Sequence, residues 1–446
     1  MVTSLSEDRQ REPARTTAES LVYSHGFGNV HSSEAIAGAL PSTHSPQRPP
    51  FGLYTEQISG SAFTEPRLVN RHSWMYRIRP SAQHPAFHRV DGGTFLGLAD
   101  TRLEMNRCQW APLPDPPRGT DFITGMWTLG GNGDPAQRRG AAFHLYAANA
   151  SMKDKVFSNS DAEMLITPVK GALLLRTEFG LLCARPGDLA LVPRGVRFRV
   201  ELLDDTAQGY VAENFGRPVV IPELGPLGAN GMADPKDFRA PVAAYEDNEN
   251  RVEVVVKFCG ELWSAEYDHS PLDVVAWHGN HAPYVYDLYR FQAVGTLTYD
   301  HTDPSSYVIL TSPTDTIGVP NIDFLAPSWL WFVAESTYRP QYFHRNISTE
   351  LYGVIRPSPM EDGSGALGKP GCVTVQNMMT PHGQTPAQDR FTSEANLVPQ
   401  RIDLGLLCVY ETFNPIKYTA QALTSSRLDP NYDRLCQGYD RRFTGR

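Results

Sequence analysis

No two cysteines in this chain are spaced as CxxC. The six, Cys108, Cys183, Cys259, Cys372, Cys408 and Cys436, are scattered along 446 residues. That excludes a disulfide scaffold or a zinc knuckle as the organising device. No stretch of about 18 apolar residues occurs, so no membrane-spanning helix is expected. Blocks of like charge are missing too, and the formal net charge is -9. A nucleic acid or an anionic membrane would call for a basic stripe, and neither is an expected partner. The opening stretch MVTSLSEDRQREPARTTAES is polar and of mixed sign, without the apolar run of a signal peptide. Residues 1–20 read as a disordered lead-in, and a cytoplasmic location follows as the default. The Asn-Xaa-Ser triplets at Asn149 and Asn346 are then coincidental, because glycosylation needs the secretory route.

Long helical patterns are scarce, while glycine and proline number 36 each. Short runs such as AAFHLYAA, ALLLRTEFGLLCA, DLALVPR and VRFRVEL recur with turn formers between them. That pattern predicts a mainly β chain of antiparallel sheets closed into sandwiches or barrels. At this length, two or three domains are expected. The segment PGDLALVPRGVRF, Pro186 to Phe198, resembles the second half-motif of cupin barrels, with Phe198 where a histidine ligand usually stands. Phenylalanine has no donor atom, so this part reads as a jelly-roll half without metal. Glu213 to Phe238 looks like a linker, Leu404 to Phe413 like a late core strand, and the tail after Pro430 like a short helix.

The chemistry centres on YFHRNISTELYG, Tyr342 to Gly353. In a straight strand His344 and Glu350 would lie about 20 Å apart. In a helix they would be about 9 Å apart but would point about 120° away from each other. Either the two are unrelated or a bend brings them together. His382, in MMTPHG, sits at a turn that can aim an imidazole into a cavity. Two histidines and a carboxylate on bent backbone could hold a divalent metal on one face, as in non-heme Fe(II) oxygenases or catalytic zinc sites. Spacing alone equally allows an ion pair with Arg345 or a hydrogen-bonded core histidine.

Resemblance narrows this. GFGNVHSSEAIAGALP, SPQRPPFGLYTEQISGSAFTEPR, RHSWMYRIRPSAQH, FHLYAANASM, DVVAWHGNHAPYVYDL, YDHTDPSSYVILT, YRPQYFHRNISTELYGVIR, MMTPHG and LDPNYD run nearly end to end. Through them the chain resembles the homogentisate 1,2-dioxygenase family. The resemblance implies a two-domain cupin-like, jelly-roll β-sandwich architecture. Residues 21–285 would form the metal-free first domain and 286–446 the iron-bearing second. It further implies Fe(II) held by His344, Glu350 and His382, with His301 handling the proton of a phenolic substrate. The other substrates and partners would be O2 and further copies of the chain, as a trimer or a hexamer built from trimers. His278, in WHGN, fits a structural turn better than a site.

Two positions depart from the family pattern. Gln376 stands where the family keeps a substrate-contacting histidine, and Pro359 falls where it keeps a tyrosine. Tyr342, with Phe343 and Tyr352, would flank the substrate and keep water out. The altered contacts point away from homogentisate toward another hydroquinone or catechol-like ring. Other readings are a metal-dependent isomerase or lyase that consumes no oxygen, a zinc hydrolase, or an inactive protein kept for assembly.

Overall fold

In the computed structural model, residues 20–223, 232–296, 298–333, 337, 342–359 and 368–445 are described. Residues 1–19 of the lead-in, and 360–367 in the segment that follows Pro359, lie outside them. The chain is mainly β, and its architecture turns on one large sheet. Ten strands form it, in the order Tyr23–His25, Phe238–Pro241, Tyr284–Asp287, Asp188–Val192, Glu163–Lys170, Ala207–Asn214, Arg139–Ala148, Met126–Asp134, Lys417–Thr419 and Thr101–Leu103.

Both faces of this sheet are buried, and strand alternation divides the side chains between two cores. Met164, Ile166, Ala190, Val192 and Val211 join Phe157, Leu173, Leu175 and Phe198 of a seven-stranded sheet. Leu165, Leu189, Leu191, Tyr210 and Ala212 face the other way, onto Phe324, Leu351, Val375 and Tyr410 of a six-stranded sheet. This explains why runs such as AAFHLYAA read as continuously apolar: a strand covered on both sides has no polar face to show. Phe198 is fully buried and meets Phe157 edge to face at 5.7 Å, so the cupin ligand position is a packing ring here.

The two halves of the chain are laced together. Cys108–Trp110 from the first half is the edge strand of the six-stranded sheet, paired with Val373–Gln376. Lys417–Thr419 from the second half enters the ten-stranded sheet beside Met126–Asp134. Trp110 is fully buried and donates its indole N–H to the Ala422 carbonyl at 2.8 Å.

One local expectation needs correcting. The supposed linker starts inside a central strand, because Glu213 and Asn214 pair with Ala142 and Ala141. The short helix expected after Pro430 forms as a 3-10 helix, Tyr432–Cys436. A nine-residue α-helix also forms at Pro386–Glu394. It is started by a reciprocal cap between Thr385 and Gln388 with proline at the first position. Among the described residues no helix is long and apolar enough to cross a membrane.

His281 gives the fold a measurable acid sensitivity. Its ring is buried, donates Nε2–H to the Arg194 carbonyl at 2.9 Å, and lies where a Cβ on Gly60 would fall 2.2 Å away. Burial pushes its pKa from 6.5 down to about 4. The stability this contributes is complete above pH 6.5 and is lost as pH falls through about 4, because only the unfolded imidazole gains a proton across that window. The difference amounts to about 3 kcal/mol. Urea midpoints should therefore fall more steeply between those pH values in the parent protein than in His281→Gln, and parallel slopes would contradict this.

Candidate metal centre

Strand Thr349–Arg356 carries Glu350 and pairs antiparallel with Val373–Gln376, so that Gln376 lies directly opposite Glu350. Beyond that pair the regular ladder stops. It closes again at an isolated bridge between His344 and His382, whose backbone N–H groups donate to each other's carbonyls at 3.0 and 3.1 Å. His344 precedes Glu350 by the same interval as Gln376 precedes His382, so the two arcs leave the sheet and rejoin it in register. They are fastened along their length. Met379, in the left-handed region at φ 60°, donates its N–H to the Asn346 carbonyl at 2.8 Å. Thr349 donates to the Asn377 side chain at 3.3 Å, and that same side chain is tied to the Ile416 backbone.

Gly353 lets this strand press on the central sheet, since a Cβ there would meet Cys408 Sγ at 2.6 Å and the Tyr210 ring at 2.7 Å. Tyr210 then donates its hydroxyl to the Cys372 carbonyl at 2.6 Å.

The doubled arc is the bend that the spacing of His344 and Glu350 demanded. Nε2 of His344 lies 3.5 Å from Glu350 Oε1, and Nε2 of His382 lies 3.0 Å from Oε2. The two imidazole centroids are 4.1 Å apart, and one ligand atom from each of the three residues falls within 4.8 Å of the others. Both rings donate Nδ1–H to the carbonyl two residues earlier, Tyr342 at 3.1 Å and Thr380 at 2.9 Å. A carbonyl only accepts, so these bonds select the tautomer that leaves Nε2 as a lone-pair donor toward the cluster. Among the described residues neither Nε2 has a directed hydrogen-bond partner, although both atoms are buried. Two unpartnered imidazole nitrogens and a carboxylate form a donor set that suits a divalent transition metal.

The electrostatics agree with that. Burial pushes the Glu350 carboxyl up, but the His344 and His382 imidazoles that face it, with the Tyr352 hydroxyl, hold it well below the usual carboxylate range. The Glu350 carboxylate in turn raises His344. Asn346 donates to Oε1 of Glu350 and Tyr352 to Oε2.

The remaining sequence candidates divide. His301 donates Nδ1–H to the Thr302 carbonyl at 2.7 Å, and its buried Nε2 has no partner among the described residues. Its ring is 6.3 Å from that of Tyr342, which is 5.4 Å from that of His344. Tyr342 thus stands between the two histidines, with its hydroxyl donated to Asp303 at 2.9 Å. Gln376 is buried beside Glu350, and its Oε1 has no partner among the described residues. Pro359 is exposed beyond the end of the Glu350 strand. His278 belongs to a different, four-stranded sheet, where it meets His44 at 3.1 Å and Tyr76 at 3.2 Å.

Reasoning from sequence missed a row of three acids beside Gln376. Gln376, Glu350, Glu411 and Asp323 lie opposite one another across four strands. Burial, then the charges of Glu350 and Asp323, push Glu411 up to about 8, and burial lifts Asp323 to about 6. Single acids inside apolar strands, in NIDFL and CVYETF, were the available signal.

Comparison with known proteins places both halves of the chain. A family model described as homogentisate 1,2-dioxygenase N-terminal matches residues 22–288, and its C-terminal counterpart matches 289–443. Among solved structures, protein Ylba from E. coli is 9% identical, with 71% of this chain and 94% of that one covered at a TM-score of 0.30. A cupin 2 conserved barrel domain protein from Leptotrichia buccalis is 8% identical, with 61% and 83% covered at a TM-score of 0.26. With the family models spanning residues 22–443 almost without a break, this chain belongs to the homogentisate 1,2-dioxygenase family.

Proposed function

We propose that this protein is an Fe(II)-dependent, ring-cleaving dioxygenase for a hydroquinone or catechol-like ring, with homogentisate not its best substrate. The observation that carries the proposal is the His344, Glu350 and His382 cluster, whose ligand atoms converge within 4.8 Å. Bound there, a ferrous ion would supply the redox chemistry that makes O2 reactive toward an electron-rich ring. The protein's own groups do the rest. His301 accepts the phenolic proton at Nε2, the nitrogen left free once Nδ1–H is committed to Thr302, and an imidazole suits that task near neutrality. The Tyr342 ring, anchored by Asp303, and the Phe332 ring, 5.7 Å from His301, shield that proton from water.

Gln376 is the reason for setting homogentisate aside. A glutamine beside Glu350 can donate and accept hydrogen bonds but cannot carry the proton or charge of a histidine. A lost hydrogen bond to a buried group costs about 1–3 kcal/mol, or about one to two orders of magnitude in kcat/KM. Oxygen uptake with iron-loaded enzyme and a panel of aromatic diols should give at least one ring turned over about tenfold faster than homogentisate. Gln376→His should narrow that gap. Homogentisate emerging as the best substrate would overturn the substrate assignment. Turnover that persists without O2 would replace the dioxygenase with an isomerase or lyase, and zinc in place of iron would point to hydrolysis. We also propose assembly into a trimer or hexamer, which light scattering of the purified protein tests.

A further inference from the structure

Each imidazole ligand has a single lone pair left once its Nδ1–H is committed, so its aim is settled by the ring. A carboxylate is different. It offers two oxygens and about four lone-pair directions, and its terminal torsion is soft, so something else must set its plane. In this chain each oxygen of Glu350 receives one donor besides facing one imidazole: the Asn346 amide on Oε1 and the Tyr352 hydroxyl on Oε2. The two donors come from different directions. Asn346 belongs to the arc, where its carbonyl accepts the Met379 N–H at 2.8 Å. Tyr352 lies two residues further along the Glu350 strand and so on the same face, with its backbone in register between Thr374 and Val409.

We propose that Asn346 and Tyr352 are positioning residues that clamp the Glu350 carboxylate, one on each oxygen, and hold it aimed at the two Nε2 atoms before a metal arrives. The proposal rests on reading the cluster as a metal centre, and it concerns affinity rather than the identity of the reaction. The clamp fixes the carboxylate's rotation, so that binding a cation costs no ordering of that side chain. Losing a hydrogen bond of this kind to a metal ligand lowers metal affinity about 10- to 100-fold.

The test is competition between the apoprotein and a chelator for Co(II), followed by melting with and without the ion. Tyr352→Phe keeps the ring and loses only the donor, and Asn346→Ala loses the other donor while keeping the backbone bond to Met379. Each should weaken Co(II) binding at least tenfold while the melting temperature of the apoprotein stays within about a degree of the parent. Reduced melting of the apoprotein with unchanged Co(II) affinity would mean the bonds only stabilise the fold, and would overturn the proposal. Affinity within twofold of the parent for both variants would overturn it equally. Glu350→Ala, measured alongside, separates the two levels. If it loses Co(II) while the clamp variants do not, only the clamp falls. If it keeps Co(II), the metal centre itself is wrong.

Discussion

Replacing Glu350 with alanine should leave a folded protein that retains no metal and has no turnover above background. Glu350 would supply the anionic ligand of the cluster, and His344 and His382 alone offer only two neutral nitrogens to a strongly hydrated Fe(II) ion. The fold should survive the change, because strand Thr349–Arg356 is held on both sides, by Val373–Gln376 and by Leu406–Thr412. The neighbouring acid is the control. Glu411 lies directly across from Glu350 on the next strand, yet the residues whose ligand atoms converge are His344, Glu350 and His382. Glu411→Gln should therefore keep metal where Glu350→Ala loses it, as measured by iron content after anaerobic reconstitution and by oxygen uptake. Iron retained by Glu350→Ala would sink the assignment of this carboxylate.

The second large effect lies in the other core. Lys257 and Glu213 form an ion pair whose side chains are 2% and 0% exposed, inside the sandwich between the ten- and seven-stranded sheets. Asn159 donates to the other oxygen of Glu213 at 2.6 Å, and His144 Nε2 lies 3.3 Å from the oxygen that Lys257 holds. The Lys257 ammonium also sits 4.8 Å from the centre of the Phe95 ring. Burial pushes the Glu213 carboxyl up, but Lys257 and then His144 outweigh it and bring its pKa down to about 2.

Lys257→Met removes the cation and strands a buried carboxylate, which should cost about 3–5 kcal/mol at pH 7. That is a large part of the roughly 5–15 kcal/mol that stabilises a typical domain. The sign of the pH dependence is set. In the parent, the contribution of Glu213 is present above pH 4.5 and is lost as pH falls through about 2. In the variant, Glu213 without its cation is pushed above its ordinary value, so acidification relieves the burial and the penalty should shrink toward pH 5. Adding Glu213→Gln to Lys257→Met should recover part of the loss at pH 7. Denaturant titrations at pH 7 and 5 check all three statements, and a penalty that stays below about 1 kcal/mol or is flat with pH would contradict them.

The sequence alone determined that the chain is mainly β, that Phe198 leaves the cupin-like half without a ligand there, and which family it belongs to. Those properties are local: apolar runs bounded by glycine and proline, a side chain with no donor atom, and long motifs rich in Trp, Tyr, Gly and Pro. It also showed that His344 and Glu350 could meet only through a bend. What the bend is, only the tertiary structure decided. Two arcs of equal span part at Glu350 and Gln376 and close at His344 and His382, and such a register belongs to a pair of strands rather than to either segment. Asn346, read from its triplet as a coincidence, became the donor to a ligand oxygen for the same reason. The acidic row from Glu350 to Asp323 and the edge strand Cys108–Trp110 beside Val373–Gln376 likewise rest on pairings between distant parts of the chain. Side-chain alternation announces a strand, but the identity of its neighbour is settled by which faces can be buried together, and that is a property of the whole packed molecule.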